Sequence, residues 1–143
     1  MKEPLSSKRI AVLIVEDDPH SQLYFRKLLS GMYDTAVASS AREAWDLLHK
    51  ESFDMVLMDI SLKGDEDGLS LTRRLRTEEA YKAIPIVAVT AYAFPDDKRR
   101  ALDAGCTDYL SKPVSANDLQ MKIAELQKNS YFCTPEISRV IGV

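Results

Sequence analysis

One short apolar segment constrains the fold of this chain more than any other feature. The residues from Met55 to Met58 are all apolar, and they stand between Asp54 and Asp59. A short run without polar alternation is typical of a strand that is buried on both faces, as in a parallel sheet. Open α/β sheets bind their ligands at the carboxyl ends of such strands. The sequence therefore places the Asp59 carboxylate where a ligand site is expected.

Four further segments predict strands, and helix signals alternate with them. The predicted strands cover residues 9–15, 34–38, 84–90 and 107–110. Helices are predicted from Pro19, from the capping box Ser40–Glu43, from Gly68, from Pro95 and after Ser115, the last ending near Gln127. The first helix is expected to bury Leu23, Tyr24, Leu28 and Leu29. Five strands alternating with five helices predict one parallel sheet with helices on both faces.

The composition excludes several classes of protein. The net charge of −3, with its basic residues scattered, gives no footprint for direct nucleic-acid binding. The longest apolar run, residues 10–15, is too short to span a bilayer, so no membrane association is expected. Cys106 and Cys133 have no metal-like or redox-motif spacing. A cytoplasmic protein with reduced thiols is the expectation.

Polar residues follow four of the predicted strands at their carboxyl ends. Glu16 and Asp17 follow the first strand, Asp59 ends the third, Thr90 ends the fourth, and Lys112 closely follows the fifth. Because parallel strands end at the same edge, these groups are expected to converge. An oxygen-only set of carboxylates suits Mg²⁺, and an aspartate can act as a nucleophile toward phosphorus. A lysine and a hydroxyl would then stabilise the charged phosphoryl oxygens.

Each of these residues has an ordinary structural interpretation when taken alone. Asp59 would be a cap or loop residue, Lys112 a surface amine and Thr90 a β-branched strand residue. His20 and His49 are weak signals for a functional site, and His20 is interpreted as a solvated helix residue. The phosphoryl chemistry is predicted because these residues occur together. Otherwise four separate strands would have to bring suitable groups to one edge of the sheet by accident.

Taken together, these residues make the chain resemble the receiver domain of two-component response regulators. The resemblance covers residues 9–127 and rests on four motifs, which are Val15-Glu16-Asp17-Asp18-Pro19, Met58-Asp59-Ile60, Val89-Thr90-Ala91 and Tyr109-Leu110-Ser111-Lys112-Pro113. It implies a flavodoxin-like (βα)5 doubly wound fold with a five-stranded parallel sheet of order 2-1-3-4-5. Residues 1–8 would be an N-terminal extension, and residues 128–143 a tail of unknown role.

The resemblance also implies a role for each site residue. Asp59 would be the phosphoacceptor, and Mg²⁺ would be held by Glu16, Asp17, Asp59 and the backbone carbonyl of Ser61. Lys112 and Thr90 would stabilise the phosphoryl group, Thr90 and Tyr109 would form the switch, and the peptide bond from Lys112 to Pro113 would be cis. Ser61 and Tyr92 would tune dephosphorylation, and the large ring of Tyr92 predicts a long-lived phosphoaspartate.

One loop departs from the family pattern. The family commonly has a proline where Lys63 stands, and the loop between Asp59 and Gly68 is one residue longer than usual. The conformation of this loop and the start of the third helix are therefore open at this stage.

The implied function is a phosphorylation-dependent switch. The phosphoryl group would come from a histidine kinase or a histidine phosphotransfer protein, and the signal would pass by contact to an unknown downstream protein. The resemblance also allows a homodimer through the face formed by the fourth helix, the fifth strand and the fifth helix. Apart from its own phosphorylation and dephosphorylation the protein would not be an enzyme. The alternative is a receiver domain excised from a hybrid histidine kinase or a larger regulator, which would act as a phosphorelay intermediate.

Two other classes of protein fit less well. A Mg²⁺-dependent phosphohydrolase with an aspartyl-phosphate intermediate would need a second aspartate two residues after the nucleophile, where Ser61 stands. A flavin-binding electron carrier would need phosphate-binding Ser, Thr or Gly after the first strand, and three acids stand there instead.

Overall fold

The structure, a computed structural model, describes residues 9–91 and 95–132. Its five strands are β1 Ala11–Val15, β2 Asp34–Ala38, β3 Met55–Asp59, β4 Ile86–Thr90 and β5 Asp108–Ser111. Its α-helices are α1 Pro19–Leu29, α2 Ala41–Lys50, α3 Gly68–Arg76, α4 Pro95–Ala104 and α5 Ala116–Phe132. A 3₁₀ turn at Glu79–Tyr81, which the sequence pattern did not predict, precedes β4.

The strands form one parallel sheet in the order β2-β1-β3-β4-β5, which confirms the predicted flavodoxin-like fold. Val15 pairs with Met58, Asp59 with Val89, and Thr90 with Ser111. This register brings the carboxyl ends of β1, β3, β4 and β5 to a common edge.

The three central strands, β1, β3 and β4, form the centre of the hydrophobic core. Every residue of β3 and β4 is buried, and β1 is buried from Val12 onward. The helices of residues 1–112 add buried side chains to this core, among them Leu48 of α2, Leu71 and Leu75 of α3, and Ala101 of α4. Burial on both faces is what the continuous apolar run before Asp59 predicted.

Helix starts lie where the capping residues predicted them. Asp18 accepts a hydrogen bond from the N–H of Ser21, and Ser40 accepts one from the N–H of Glu43. The Glu43 carboxylate accepts from the N–H of Ser39, one residue earlier than in a standard capping box. These side chains satisfy N–H groups that a helix leaves without partners, so they fix where the helices begin.

The buried face of α1 differs from the prediction. Leu23 and Tyr24 are 52% and 44% exposed, whereas Phe25 and Leu29 are buried. Phe25 and Leu29 are four residues apart and therefore share one face of the helix. Leu23 and Tyr24 lie off that face. The prediction is therefore confirmed for Leu29 and wrong for Leu23 and Tyr24, because apolar residues occur on both sides of this helix.

The last helix is longer than predicted. α5 continues to Phe132, beyond the expected end near Gln127, so the segment from residue 129 begins inside the helix. α5 belongs to a second compact unit, which begins at Pro113. Among the residues of α5 up to Lys128, Leu119, Ile123 and Leu126 are buried, at the spacing of one helical face. None of the helices in the described ranges is both long and apolar enough to span a bilayer.

Arg76 ties the end of α3 to its surroundings. Its guanidinium donates to the carbonyl of Gly105 at 2.8 Å and to those of Tyr81 and Ile84 at 2.8 and 2.7 Å. A fourth contact reaches the Thr107 hydroxyl at 3.2 Å. Partial burial without a carboxylate partner lowers the pKa of Arg76. The side chain therefore satisfies three backbone acceptors that no strand or helix would otherwise pair.

Candidate metal and phosphoryl site

Three carboxylates meet at the carboxyl edge of the sheet. One oxygen from each of Glu16, Asp17 and Asp59 lies within 4.8 Å of the others. Glu16 is 1% exposed and Asp59 is 7% exposed, whereas Asp17 is half-buried. Asp59 ends β3, and the two other acids follow β1 directly, so the pairing of these neighbouring strands brings the three together. The convergence expected from the sequence is found.

Lys112 brings an ammonium group to the same place. Its Nζ lies 2.7 Å from Oε1 of Glu16 and 3.7 Å from Oδ2 of Asp59. Its backbone N–H donates to the carbonyl of Thr90 at 2.7 Å, which extends the ladder between β4 and β5 and fixes where the side chain starts. The Lys112 ammonium therefore lies beside two of the three carboxylates, those of Glu16 and Asp59.

Burial and pairing act in opposite directions on the protonation of this pair. Burial raises the pKa of the Glu16 carboxyl, although the hydrogen bonds from Lys112 and from the N–H of Asp18 oppose the rise. Burial disfavours the charged form of Lys112, but its hydrogen bond to Glu16 and the nearby Asp59 charge outweigh that, and its pKa is raised. Lys112 is therefore a cation at neutral pH.

The Asp59 side chain is held in a fixed orientation. Its Oδ1 accepts a hydrogen bond from the N–H of Ser61 at 2.8 Å, while Oδ2 faces Lys112. The chain then returns close to this point at Gly68, where a Cβ atom would lie 2.4 Å from the carbonyl oxygen of Asp59. Only glycine leaves room for this approach, and α3 begins at this residue, as the sequence predicted.

Asp17 has a partner that the sequence did not reveal. Its Oδ2 accepts a hydrogen bond from the backbone N–H of Lys63 at 2.8 Å. The neighbouring Asp18 is exposed and caps α1 instead, and this bond to Ser21 lowers the pKa of Asp18. Of the three consecutive acids, the first two therefore belong to the cluster and the third belongs to the helix.

The structure shows the positions of some of the other predicted site residues but does not test the roles predicted for them. Thr90 is 1% exposed at the end of β4, beside the strand that carries Asp59. Tyr109 is half-buried in β5. Tyr92 lies outside the described residues. The carbonyl ligand from Ser61, the switch movement of Thr90 and Tyr109, and the cis peptide between Lys112 and Pro113 stay predictions.

A groove beside this site was not predicted. It has a volume of about 630 Å³ and lies among the start of α2, the loop after β3, and α3, with Trp45, Lys63 and Arg74 in its lining. The Arg74 guanidinium lies 4.2 Å from the Trp45 ring centre and pairs with Glu66 at 2.8 Å through each of two nitrogens. The loop that lines the groove is thus bound to α3 through the pair of Glu66 and Arg74. Arg74 in turn contacts α2 at Trp45.

His49 makes a specific contact through each of its two ring nitrogens. Its Nδ1 lies 2.7 Å from the carbonyl of Trp45, and its Nε2 lies 2.9 Å from the Glu78 carboxylate. Both partners can only accept, so the doubly protonated ring satisfies both. These two contacts raise the pKa of His49, the bond to Trp45 contributing most.

Residues 12–124 match the family model described as the response regulator receiver domain. The chain is 40% identical over 120 residues to the sensor protein GacS of Pseudomonas syringae pv. syringae. The aligned residues cover 81% of this chain and 13% of GacS. It is also 40% identical over 106 residues to the polar-differentiation response regulator DivK of Brucella ovis, covering 73% of this chain and 85% of DivK.

Two solved structures show the same architecture. A response regulator from Chloroflexus aurantiacus superposes with a TM-score of 0.80 at 31% identity, over 83% of this chain and 98% of that one. The receiver domain of the sensor histidine kinase PA1611 from Pseudomonas aeruginosa, solved with magnesium in its active-site cleft, superposes with a TM-score of 0.74 at 33% identity. That superposition covers 85% of this chain and 97% of the receiver.

Proposed function

This chain belongs to the response regulator receiver family of two-component signalling, and on that premise we propose that Asp59 accepts a phosphoryl group from a histidine kinase or a histidine phosphotransfer protein. The observation that carries the proposal is the cluster of three carboxylates, two of which lie beside the Lys112 ammonium, with Asp59 nearly buried. We place the exchange in the cytoplasm, as expected of the family.

The donor set of the cluster fits Mg²⁺. One oxygen from each of three carboxylates lies within 4.8 Å of the others, and the Lys112 ammonium lies beside two of these groups. Like charges this close repel unless a cation neutralises them. Glu16, Asp17, Asp59 and the carbonyl of Ser61 would hold the ion, with Glu16 acting through water. When bound, Mg²⁺ would neutralise charge on the carboxylates and on the phosphoryl oxygens.

The transfer step needs few protein groups. One carboxylate oxygen of Asp59 attacks phosphorus, the P–N bond of the donor phosphohistidine breaks, and its electron pair returns to the imidazole nitrogen. The Lys112 ammonium lies 3.7 Å from Oδ2 of Asp59 and stabilises the transferred oxygens. In the separate step of dephosphorylation, water attacks phosphorus, the P–O bond to Asp59 breaks with its electron pair returning to the carboxylate, and inorganic phosphate leaves. Beyond this self-catalysis we do not propose an enzyme.

The output is proposed to be a change of shape that a partner protein recognises. A phosphoryl dianion on Asp59 offers the Thr90 hydroxyl a charge-assisted acceptor, and this biases an existing two-state equilibrium. Tyr109 would follow Thr90 inward. The downstream protein and any self-association stay predictions.

A phosphorelay intermediate within a longer protein is the second candidate. It is favoured by the match to GacS, of which this chain covers only 13%, and by the likeness to the PA1611 receiver. The chemistry at Asp59 would be the same, and only the onward acceptor, a second histidine, would differ.

Intact mass spectrometry tests the proposal. The protein and Asp59→Asn are incubated with acetyl phosphate, and separately with a phosphorylated histidine phosphotransfer domain, with and without Mg²⁺. We expect one phosphoryl group on the parent, dependent on Mg²⁺ and absent from Asp59→Asn. A parent that gains none from either donor, or a variant that gains as much, would contradict the assignment.

A further inference from the structure

One hydrogen bond joins the loop after Asp59 to the metal cluster. The backbone N–H of Lys63 donates to Oδ2 of Asp17 at 2.8 Å across 46 residues of sequence. Asp17 is the least buried member of the cluster. Without a partner, its carboxylate would rotate freely, because the terminal torsion of an aspartate has a broad profile. The Lys63 N–H therefore decides which carboxylate oxygen remains open toward the cluster.

The loop that supplies this donor is anchored on both sides. Before Lys63, the N–H of Ser61 is bonded to Asp59. After it, Glu66 accepts two hydrogen bonds from Arg74 and one from the Ser70 hydroxyl. The loop then enters α3 at Asp67, whose side chain accepts from the N–H of Ser70. A donor held in this way can orient a carboxylate, whereas a donor on a loose loop could not.

We propose that the backbone N–H of Lys63 is a positioning group that orients Asp17 as the metal ligand. The inference rests on the proposed Mg²⁺ site. It assigns a role to the position where this loop departs from the usual proline, because proline has no N–H to donate. Hydrogen bonds to ligating carboxylates commonly change metal affinity about 10- to 100-fold. The ammonium of Lys63 takes no part, since the contact is made by the backbone.

Isothermal titration with MgCl₂ tests this proposal through metal affinity alone. Lys63→Pro removes the donor, and Lys63→Ala keeps the donor while removing the side chain. We expect Lys63→Pro to weaken Mg²⁺ binding about tenfold or more and Lys63→Ala to stay within about twofold of the parent. Equal affinity in Lys63→Pro and the parent would overturn the positioning role, as would a tenfold loss in Lys63→Ala.

A measurement on the unmodified protein covers the case in which Lys63→Pro fails to fold. Amide hydrogen exchange of the Mg²⁺-loaded parent is followed by NMR. We expect the Lys63 amide to exchange at least about tenfold more slowly than a free loop amide, because its hydrogen bond must open first. Exchange at the rate of a free loop amide would overturn the inference. A parent that binds no Mg²⁺ would instead overturn the proposed metal site and this inference with it.

Discussion

Substituting Gly68 by alanine tests the packing that places α3 against the phosphoacceptor. An added Cβ would lie 2.4 Å from the carbonyl oxygen of Asp59, 2.9 Å from Cγ of Met58 and 3.0 Å from Cα of Ile60. Two of these three atoms belong to the backbone at the end of β3, which the β3–β4 pairing holds in place. The methionine can yield, but the backbone can do so only if strand and helix separate by roughly half an ångström or more.

Helix propensity and packing predict opposite signs for this substitution. Alanine is better than glycine in a helix interior by about 1 kcal/mol, so at Gly68, the first residue of α3, propensity alone favours alanine by at most about that amount. Overpacking a close contact costs typically about 1–3 kcal/mol and more when backbone must move. Because the two closest atoms include a backbone oxygen at 2.4 Å, packing should win. We expect Gly68→Ala to lose about 2 kcal/mol of unfolding free energy, or roughly 4–8 °C in Tm for a chain of this size.

Urea unfolding followed by circular dichroism measures the difference. Arg73→Ala is the matched control, because Arg73 is an exposed residue of the same helix and should change stability by less than about 0.5 kcal/mol. A Gly68→Ala protein as stable as the parent, or more stable, would refute the close approach of α3 to Asp59.

Three further changes have defined outcomes in the same unfolding assay. Arg76→Met leaves three backbone carbonyls without their donor and should cost about 2 kcal/mol, with Arg76→Lys giving little rescue. Lys112→Met removes the cation beside buried Glu16 and should cost about 2 kcal/mol at neutral pH. The cost should fall as the pH is lowered, because burial raises the pKa of Glu16 and its carboxyl can take up a proton. The raised pKa of His49 means that its contribution is complete below about pH 6.5 and is lost as the pH rises through the raised value. His49→Gln should therefore cost about 0.5 kcal/mol at pH 5.5 and almost nothing at pH 9.

Much of the fold follows from local signals that act independently of the tertiary structure. A strand buried on both faces must be apolar along its length, and capping residues such as Asp18 and Ser40 satisfy N–H groups within their own helix. The carboxyl edge of a parallel sheet is a consequence of topology, so the convergence of Asp59 and Lys112 could be predicted without coordinates. These features depend on neighbours in sequence or on the fold class alone.

The features that were missed depend on contacts between distant segments. The choice of Phe25 over Leu23 for the buried face of α1 is decided by what the helix packs on, and the sequence offers apolar residues on both sides. The bond from Lys63 to Asp17 uses a backbone N–H, which carries no sequence signature. Arg76 reads as one of several basic residues at the end of α3, although its guanidinium satisfies three carbonyls.

Chemical trapping at residue 59 tests the central claim most directly. After incubation with acetyl phosphate and Mg²⁺, borohydride reduces an aspartyl phosphate to homoserine, releasing phosphate, and tandem mass spectrometry of the peptides identifies the residue converted. Our account predicts homoserine at position 59 and none at Asp17, with the signal lost when Mg²⁺ is withheld. Homoserine at another position, or conversion at position 59 that does not depend on Mg²⁺, would contradict it.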